Sequence, residues 1–245
     1  MTNRRDRSLH AMRPILFSNH FTKHADGSVL ACCGDTKVLC NTSISEGVPK
    51  FLRDQNKGWL TAEYSMLPRA THTRTDREAS RGKQTGRTIE IQRLIGRSLR
   101  CAVDLHQLGE YTITIDCDVI QADGGTRTTA INGAMVSLTH ALKHLQYAKK
   151  IKTDPIKYLI TACSIGVIKD EVYLDLDYDE DSCADVDCNI VLTEHGDLVE
   201  IQGTAEGEPF QTQTLDKIVQ LAKSSQTQIL QAMRTCLDLP HPESK

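Results

Sequence analysis

Three groups of residues in this 245-residue chain have the types and spacing to do chemistry on anions. The first is Gly124-Gly125-Thr126-Arg127. Paired glycines let a backbone approach a ligand closely, and a hydroxyl and a planar guanidinium follow at once. If a helix starts here, its unpaired first-turn N–H groups and positive dipole end face the same point, which makes a phosphate site. A glycine turn with a solvent-facing arginine would show the same letters, so the pattern alone leaves both readings open. The second group is basic. Residues 69–100 carry nine basic side chains, among them Arg69, Arg74, Arg77, Arg87, Arg93 and Arg97, against three acidic ones, in a chain whose net charge is -3. A one-signed arginine surface in an otherwise acidic protein suits a polyanion. The third group is acidic: Asp175, Asp177, Asp179, Glu180, Asp181, Asp185 and Asp187 crowd together with no basic residue among them. Such crowding is costly without a cation, a proton or a basic partner. Asp181 in a connection and Asp187 at the start of the next strand could converge as proton donor and Mg²⁺ ligand. A solvated acidic loop is the alternative.

The elements that must position these groups can be read from hydrophobic spacing. Tyr111, Ile113, Ile115, Cys117 and Val119 alternate with Thr112, Thr114, Asp116 and Asp118, the period of a strand with one buried face. Beyond the glycines, Ile131, Ala134, Met135, Leu138, Leu142 and Leu145 recur at three and four, the stripe of a long helix. The glycine loop therefore sits where a strand turns into a helix. Residues 27–33, 37–45 and 59–66 read as short strands, and 67–86 as a long functional loop. A helix is expected over 88–105, with Ile91, Leu94, Ile95 and Leu99 inside and Arg87 at its start. The second half predicts strands at 158–168, 172–177, 186–193 and 198–203, then a closing helix over 215–238. A basic leader, 1–12, reads as flexible, and the polar, proline-ended stretch 149–155 divides the rest into 13–153 and 154–239. Strands and helices in this order predict an α+β protein with α/β-type layers in two halves.

Several chemistries are excluded. No Gly-x-x-x-x-Gly-Lys-[Ser/Thr], Gly-x-Ser-x-Gly or His-Glu-x-x-His occurs, so there is no Walker-type nucleotide loop, hydrolase elbow or zincin helix. The nine cysteines include no Cys-x-x-Cys and most lie in apolar runs, which reads as reduced, buried thiols of a cytoplasmic protein. His140 and His144, four apart on the central helix, lack a third ligand in view. Aromatic residues are too scarce for a base-stacking platform. No apolar run approaches a membrane span, and the N-terminus has no apolar signal core.

Longer stretches carry a family resemblance. Phe21-Thr22-Lys23-His24-Ala25-Asp26-Gly27-Ser28, Gly58-Trp59-Leu60-Thr61-Ala62-Glu63-Tyr64, Met66-Leu67-Pro68-Arg69 and Gly86-Arg87-Thr88-Ile89-Glu90-Ile91-Gln92-Arg93 resemble bacterial ribonuclease PH. So do the 121–127 loop, Glu180-Asp181, Val186-Asp187 and Val199-Glu200-Ile201-Gln202-Gly203-Thr204, over about residues 13 to 210. The resemblance implies a ribonuclease PH fold, two βαβ-like halves in a ribosomal protein S5 domain 2-like architecture. It implies a phosphorolytic 3′→5′ exoribonuclease (a tRNA nucleotidyltransferase) that trims tRNA precursors and other RNA 3′ ends. It further implies a ring-shaped homohexamer, a trimer of dimers. By position, Arg87, Gly125, Thr126 and Arg127 match the family's phosphate-binding residues, and Arg93 a second active-site arginine. Arg69, Arg74 and Arg77 match arginines that hold tRNA, while Asp181 and Asp187 match catalytic carboxylates and Mg²⁺ ligands. Which carboxylate takes which role stays open. Inorganic phosphate is the implied co-substrate. A silent RNA-binding ring subunit of the same fold and a hydrolytic, metal-dependent nuclease are the rivals.

Overall fold

The structure, a computed structural model, describes Arg4 and residues 7–240. In the first half the strands are β1 (Ile15–Asn19), β2 (Gly27–Cys33), β3 (Thr36–Glu46) and β4 (Trp59–Met66). A four-residue helix, α1 (Glu78–Arg81), interrupts the arginine loop and leads into α2 (Gly86–Ala102) and the short α3 (Leu105–Leu108). Then come β5 (Tyr111–Gln121) and α4 (Thr126–Tyr147). The five strands form one sheet in the order β1-β2-β3-β5-β4. β4 and β5 are parallel, with α2 crossing between them, and the other neighbours are antiparallel. The alternation expected for β5 is realised: Ile113, Ile115, Cys117 and Val119 are buried while the residues between them are not.

The second half holds β6 (Ile160–Ile168), β7 (Glu171–Leu174), the single-turn α5 (Tyr178–Asp181), β8 (Val186–Thr193), β9 (Leu198–Ala205) and α6 (Thr212–Cys236). Its sheet, β7-β6-β8-β9, pairs antiparallel throughout: β6–β7 and β8–β9 are hairpins, and the connection from β7 through α5 crosses over to β8 on the other side of β6. The fold is the mixed α+β arrangement that the element order implies.

Helix α4 is the central piece. It packs on β2 and β3 on one side and on β6 on the other, with α2 beside it, while α6 packs on β1 of the first sheet and on β6, β7 and β8 of the second. A helix gripped between two sheets buries more than one stripe, and small residues make this possible. A Cβ on Gly133 would lie 2.7 Å from both the Ala31 and Cys40 side chains, and one on Gly27 would meet the Ser137 carbonyl oxygen at 2.0 Å. Every residue of β6 is buried because helices cover both its faces. One continuous hydrophobic core, including Ile115, Ile131, Leu138, Ile160 and Ile190, runs through both halves. Among the described residues no helix is long and apolar enough to cross a membrane.

The leader departs from expectation. Residues 1–3, 5 and 6 of the stretch 1–12 lie outside the described residues, but the remainder is pinned rather than loose. Arg4 is only 8% exposed; its guanidinium pairs with Glu180 at 3.2 Å and also bonds the Leu174 carbonyl. Arg7 reaches Asp175 at 3.3 Å and Glu180 at 3.4 Å, and Leu174 N donates to Leu9 O at 2.8 Å. The physical reason lies in the acidic segment, whose buried carboxylates need cations, and these arginines supply them.

Candidate active site

Residues from both halves meet in a cleft at the N-terminal end of α4. β5 runs out at Gln121, and Gly124 and Gly125 take φ of 69° and 61°, a left-handed turn that glycine enters without strain. A Cβ on Gly124 would sit 2.2 Å from the Leu176 carbonyl oxygen, so the glycine also lets the loop touch the acidic segment. Gly125 is the N-cap of α4 and no side chain caps the helix, which leaves its first-turn N–H groups directed at the cleft. Thr126 is buried and its hydroxyl oxygen accepts from Tyr64 Oη at 3.0 Å.

The acidic wall is set by α5. Asp177 Oδ1 accepts from Glu180 N at 3.0 Å, and Glu180 Oε2 accepts from Asp177 N at 3.1 Å, a capping box that folds a single turn and ends on Asp181. Arg13 ties this wall to the glycine loop. Its guanidinium holds Asp175 at 2.8 and 2.9 Å and bonds the Asp123 and Leu176 carbonyls. Asp175, Asp177 and Glu180 are thus taken up in ion pairs with Arg4, Arg7 and Arg13. Asp181 and Asp187 are the acidic residues left to line the cavity.

That cavity, about 230 Å³, is lined by Arg87, Gly125, Thr126, Arg127, Asp181, Asp187 and their neighbours. Desolvation raises the Asp181 carboxyl above its ordinary range, against the pull of Arg87 and Arg127. Desolvation raises Asp187 as well, and the nearby charge of Asp181 adds to it, while Arg127 and Arg87 again oppose. Two carboxyls with raised affinity for protons facing two arginines and a helix N-terminus form a site that can hold a phosphate and act on an adjacent oxygen. The two carboxyls also suit Mg²⁺, which takes one or two protein carboxylates and completes its shell with phosphate oxygens and water. Among the described residues no group of three or more His, Cys, Asp and Glu clusters as a ready-made metal cage. His140 instead lies against the His20 ring, 5.6 Å between centroids.

The arginine loop builds a second, larger cavity of about 770 Å³ that shares Met66 and Arg87 with the first. Arg74, Arg77, Arg81 and Lys83 line it. Glu78 organises its inner end, accepting from the Thr85 and Thr88 hydroxyls at 2.8 and 2.7 Å next to Arg87. Arg69 lies in the same loop but folds back, donating to His72 O at 2.6 Å, and lines neither cavity. Arg93 is also placed differently from the other expected residues: it is exposed on α2 and lines neither cavity.

Four polar residues lining the cavity were not singled out by sequence reasoning, Thr71, Ser164, Tyr178 and Asn189, nor was Tyr64, which bonds Thr126. Ser164 and Asn189 are paired across β6 and β8 and line the cavity. The available signal was Asn189 standing two residues beyond Asp187 on one strand, hence on the same face.

The chain matches the models of the 3′ exoribonuclease family, domain 1 over residues 11–143 and domain 2 over residues 158–225. It is similar in fold to rice (Oryza sativa) Rrp46, with a TM-score of 0.78 at 20% identity, over 95% of this chain and 99% of that one. The Archaeoglobus fulgidus exosome, solved with RNA bound to the active site, contains a chain matching at TM-score 0.76 and 19% identity, over 88% of this chain and 86% of that one. An archaeal exosome core gives 0.71 at 17%, over 94% and 89% respectively.

Proposed function

We propose, from the premise that the chain belongs to the 3′ exoribonuclease family, that it is a phosphorolytic 3′→5′ exoribonuclease of the bacterial ribonuclease PH kind. The observation that carries this reading is the single cavity in which Arg87, Arg127 and the α4 N-terminus oppose Asp181 and Asp187. A hydrolase must activate water. Here the best-formed part of the site is an anion cradle, which suits an attacking phosphate.

Inorganic phosphate needs no activation, so the task is to hold two anions close enough for in-line attack. Arg87, Arg127, Thr126 and the helix N–H groups offset the charge of the attacking phosphate. One of its oxygens bonds to the terminal phosphorus while the bond from that phosphorus to the 3′-oxygen of the preceding nucleotide breaks. The departing oxygen takes a proton and becomes a 3′-hydroxyl, and the terminal nucleotide leaves as a nucleoside 5′-diphosphate. Asp181 or Asp187, whose affinity for a proton desolvation raises, is the proton source in the cleft. Mg²⁺, when bound by these carboxylates, supplies charge neutralisation on the transferring phosphoryl group.

The larger cavity leads from the cleft under Arg74 and Arg77 and suits the incoming 3′ end of a tRNA precursor or other RNA. The resemblance and the likeness to exosome folds support a ring assembly, which we take to be a homohexamer built as a trimer of dimers in the cytoplasm. Replacing Arg69, Arg74 and Arg77 together by Ala is expected to weaken tRNA binding and to flatten its dependence on salt by roughly 0.7–0.9 per lost phosphate contact. Cleavage of an oligonucleotide too short to reach the loop should be spared. Equal loss on short and long RNA would put the loop in the catalytic centre or the ring contact instead.

The test of the function is product identity. A 3′-extended tRNA incubated with the protein and Mg²⁺ should release nucleoside 5′-diphosphates, and only when phosphate is supplied. Excess nucleoside diphosphate should lengthen the RNA. Monophosphates released without phosphate would support a hydrolase, and tight RNA binding with no release a silent ring subunit.

A further inference from the structure

We infer that Gln202 and Glu90 are positioning residues for Arg127, with Gln202 acting as a neutral spacer that keeps the guanidinium from being captured by Glu90. The inference rests on the phosphorolytic reading of the cleft. Three elements meet at this point. Arg127 on α4 donates from Nη1 to Gln202 Oε1 at 2.9 Å, Gln202 on β9 donates from Nε2 to Glu90 Oε1, and Glu90 on α2 stands 3.6 Å from the same Nη1.

An isolated glutamine amide can present either end. Here the amino end is committed to Glu90, so the oxygen must face Arg127 and the guanidinium is held in one orientation. Register places Gln202 opposite Asn189 and Thr204 opposite Asp187, so the spacer stands on the sheet face that carries the catalytic carboxylate. Among the described residues Arg127 makes no other hydrogen bond. Its Nη2 and Nε are therefore available to grip an anion as a fork. Its side chain is only 12% exposed, so how the buried head is aimed matters.

Glu90 is a competitor for that arginine. Glu90 already stands 3.6 Å from Nη1, and without Gln202 occupying both groups that contact is free to close into a direct pair that turns the fork away from the cleft. Gln202→Ala is accordingly expected to raise the phosphate KM by about tenfold or more, because small misplacements of a positioning group have large effects. RNA affinity should stay within about twofold, since the terminal nucleotide is held elsewhere. The discriminating variant is the double Gln202→Ala/Glu90→Gln. Removing the competing charge should bring the phosphate KM back to within about threefold of the wild type. A role confined to packing predicts the reverse, with the second loss adding to the first.

The measurements are phosphate KM and kcat for release of nucleoside diphosphate, and calorimetric titration of each protein with inorganic phosphate alone. An unchanged phosphate KM in Gln202→Ala, or a double variant no better than the single one, would overturn the inference. Wild-type protein that neither binds phosphate nor depends on it would overturn the phosphorolytic reading itself, a separate result.

Discussion

Arg127→Ala is expected to lower kcat/KM for inorganic phosphate by roughly 10²–10³-fold, the usual scale for removing one preorganised group that stabilises an anion. RNA affinity should change by no more than about twofold. The asymmetry follows from where the side chain stands. Arg127 occupies the second position of α4, over the helix N-terminus and beside Thr126, while the arginines of the large cavity belong to another loop. Its loss also leaves Glu90, formerly 3.6 Å from Nη1, without that cation beside an anion site. The variant therefore loses an attraction and exposes a repulsion. Arg127→Lys should recover only part of the activity, because an ammonium cannot form a planar fork. Steady-state kinetics at varied phosphate, with RNA binding measured separately, checks the prediction. Parallel losses in RNA affinity and phosphate dependence would show that Arg127 holds the RNA.

Much of the frame was legible because it rests on long, regular patterns. β8 runs over Val186–Thr193, the span that its apolar spacing predicts, and α4 begins at the turn marked by the two glycines. The misses have physical causes. β1 is five residues long, too short to show a period, and is placed by pairing with β2. α5 is a single turn of acidic residues with no apolar stripe. Its available signal was Asp177 followed three residues later by Glu180, the spacing of a capping box. The second buried face of α4 was hidden because it is made of Gly133, Ser137 and Ala141 rather than large apolar side chains.

The leader shows the limit most clearly. Arg4 and Arg7 fall in a leader that reads as basic and flexible, since their partners Asp175 and Glu180 lie more than 160 positions away. Charge complementarity over that distance appears only after folding, yet it resolves the repulsion that the acidic run announced. It also narrows the candidates. Seven acidic residues could have served the chemistry by sequence, and ion pairing takes up three of them. Arg93, assigned to the site by resemblance alone, is the one expected active-site residue whose place on α2 does not bring it to either cavity.

Asp187→Asn should separate function from stability. The amide keeps the shape of the side chain but can neither deliver a proton nor bind Mg²⁺ as a carboxylate, so kcat is expected to fall by roughly 10²–10⁴-fold. Stability should move the other way. Desolvation, and then the charge of Asp181, raise the folded-state affinity of Asp187 for its proton above that of the unfolded chain. Between the two pKa values the folded state therefore binds more protons than the unfolded state, and stability falls as pH rises through that window. Above the folded pKa the full cost of the charged carboxylate is present, and Asn removes it. The variant should melt at a higher temperature than wild type near neutral pH. That gap should close as the pH drops to about 4, where the unfolded carboxyl also begins to hold its proton. Thermal melts across this range, read beside the pH–rate profile, test both halves. A variant that is dead but melts lower than wild type at neutral pH would make Asp187 a structural residue whose charge the cleft stabilises. The proton source would then have to be Asp181 alone.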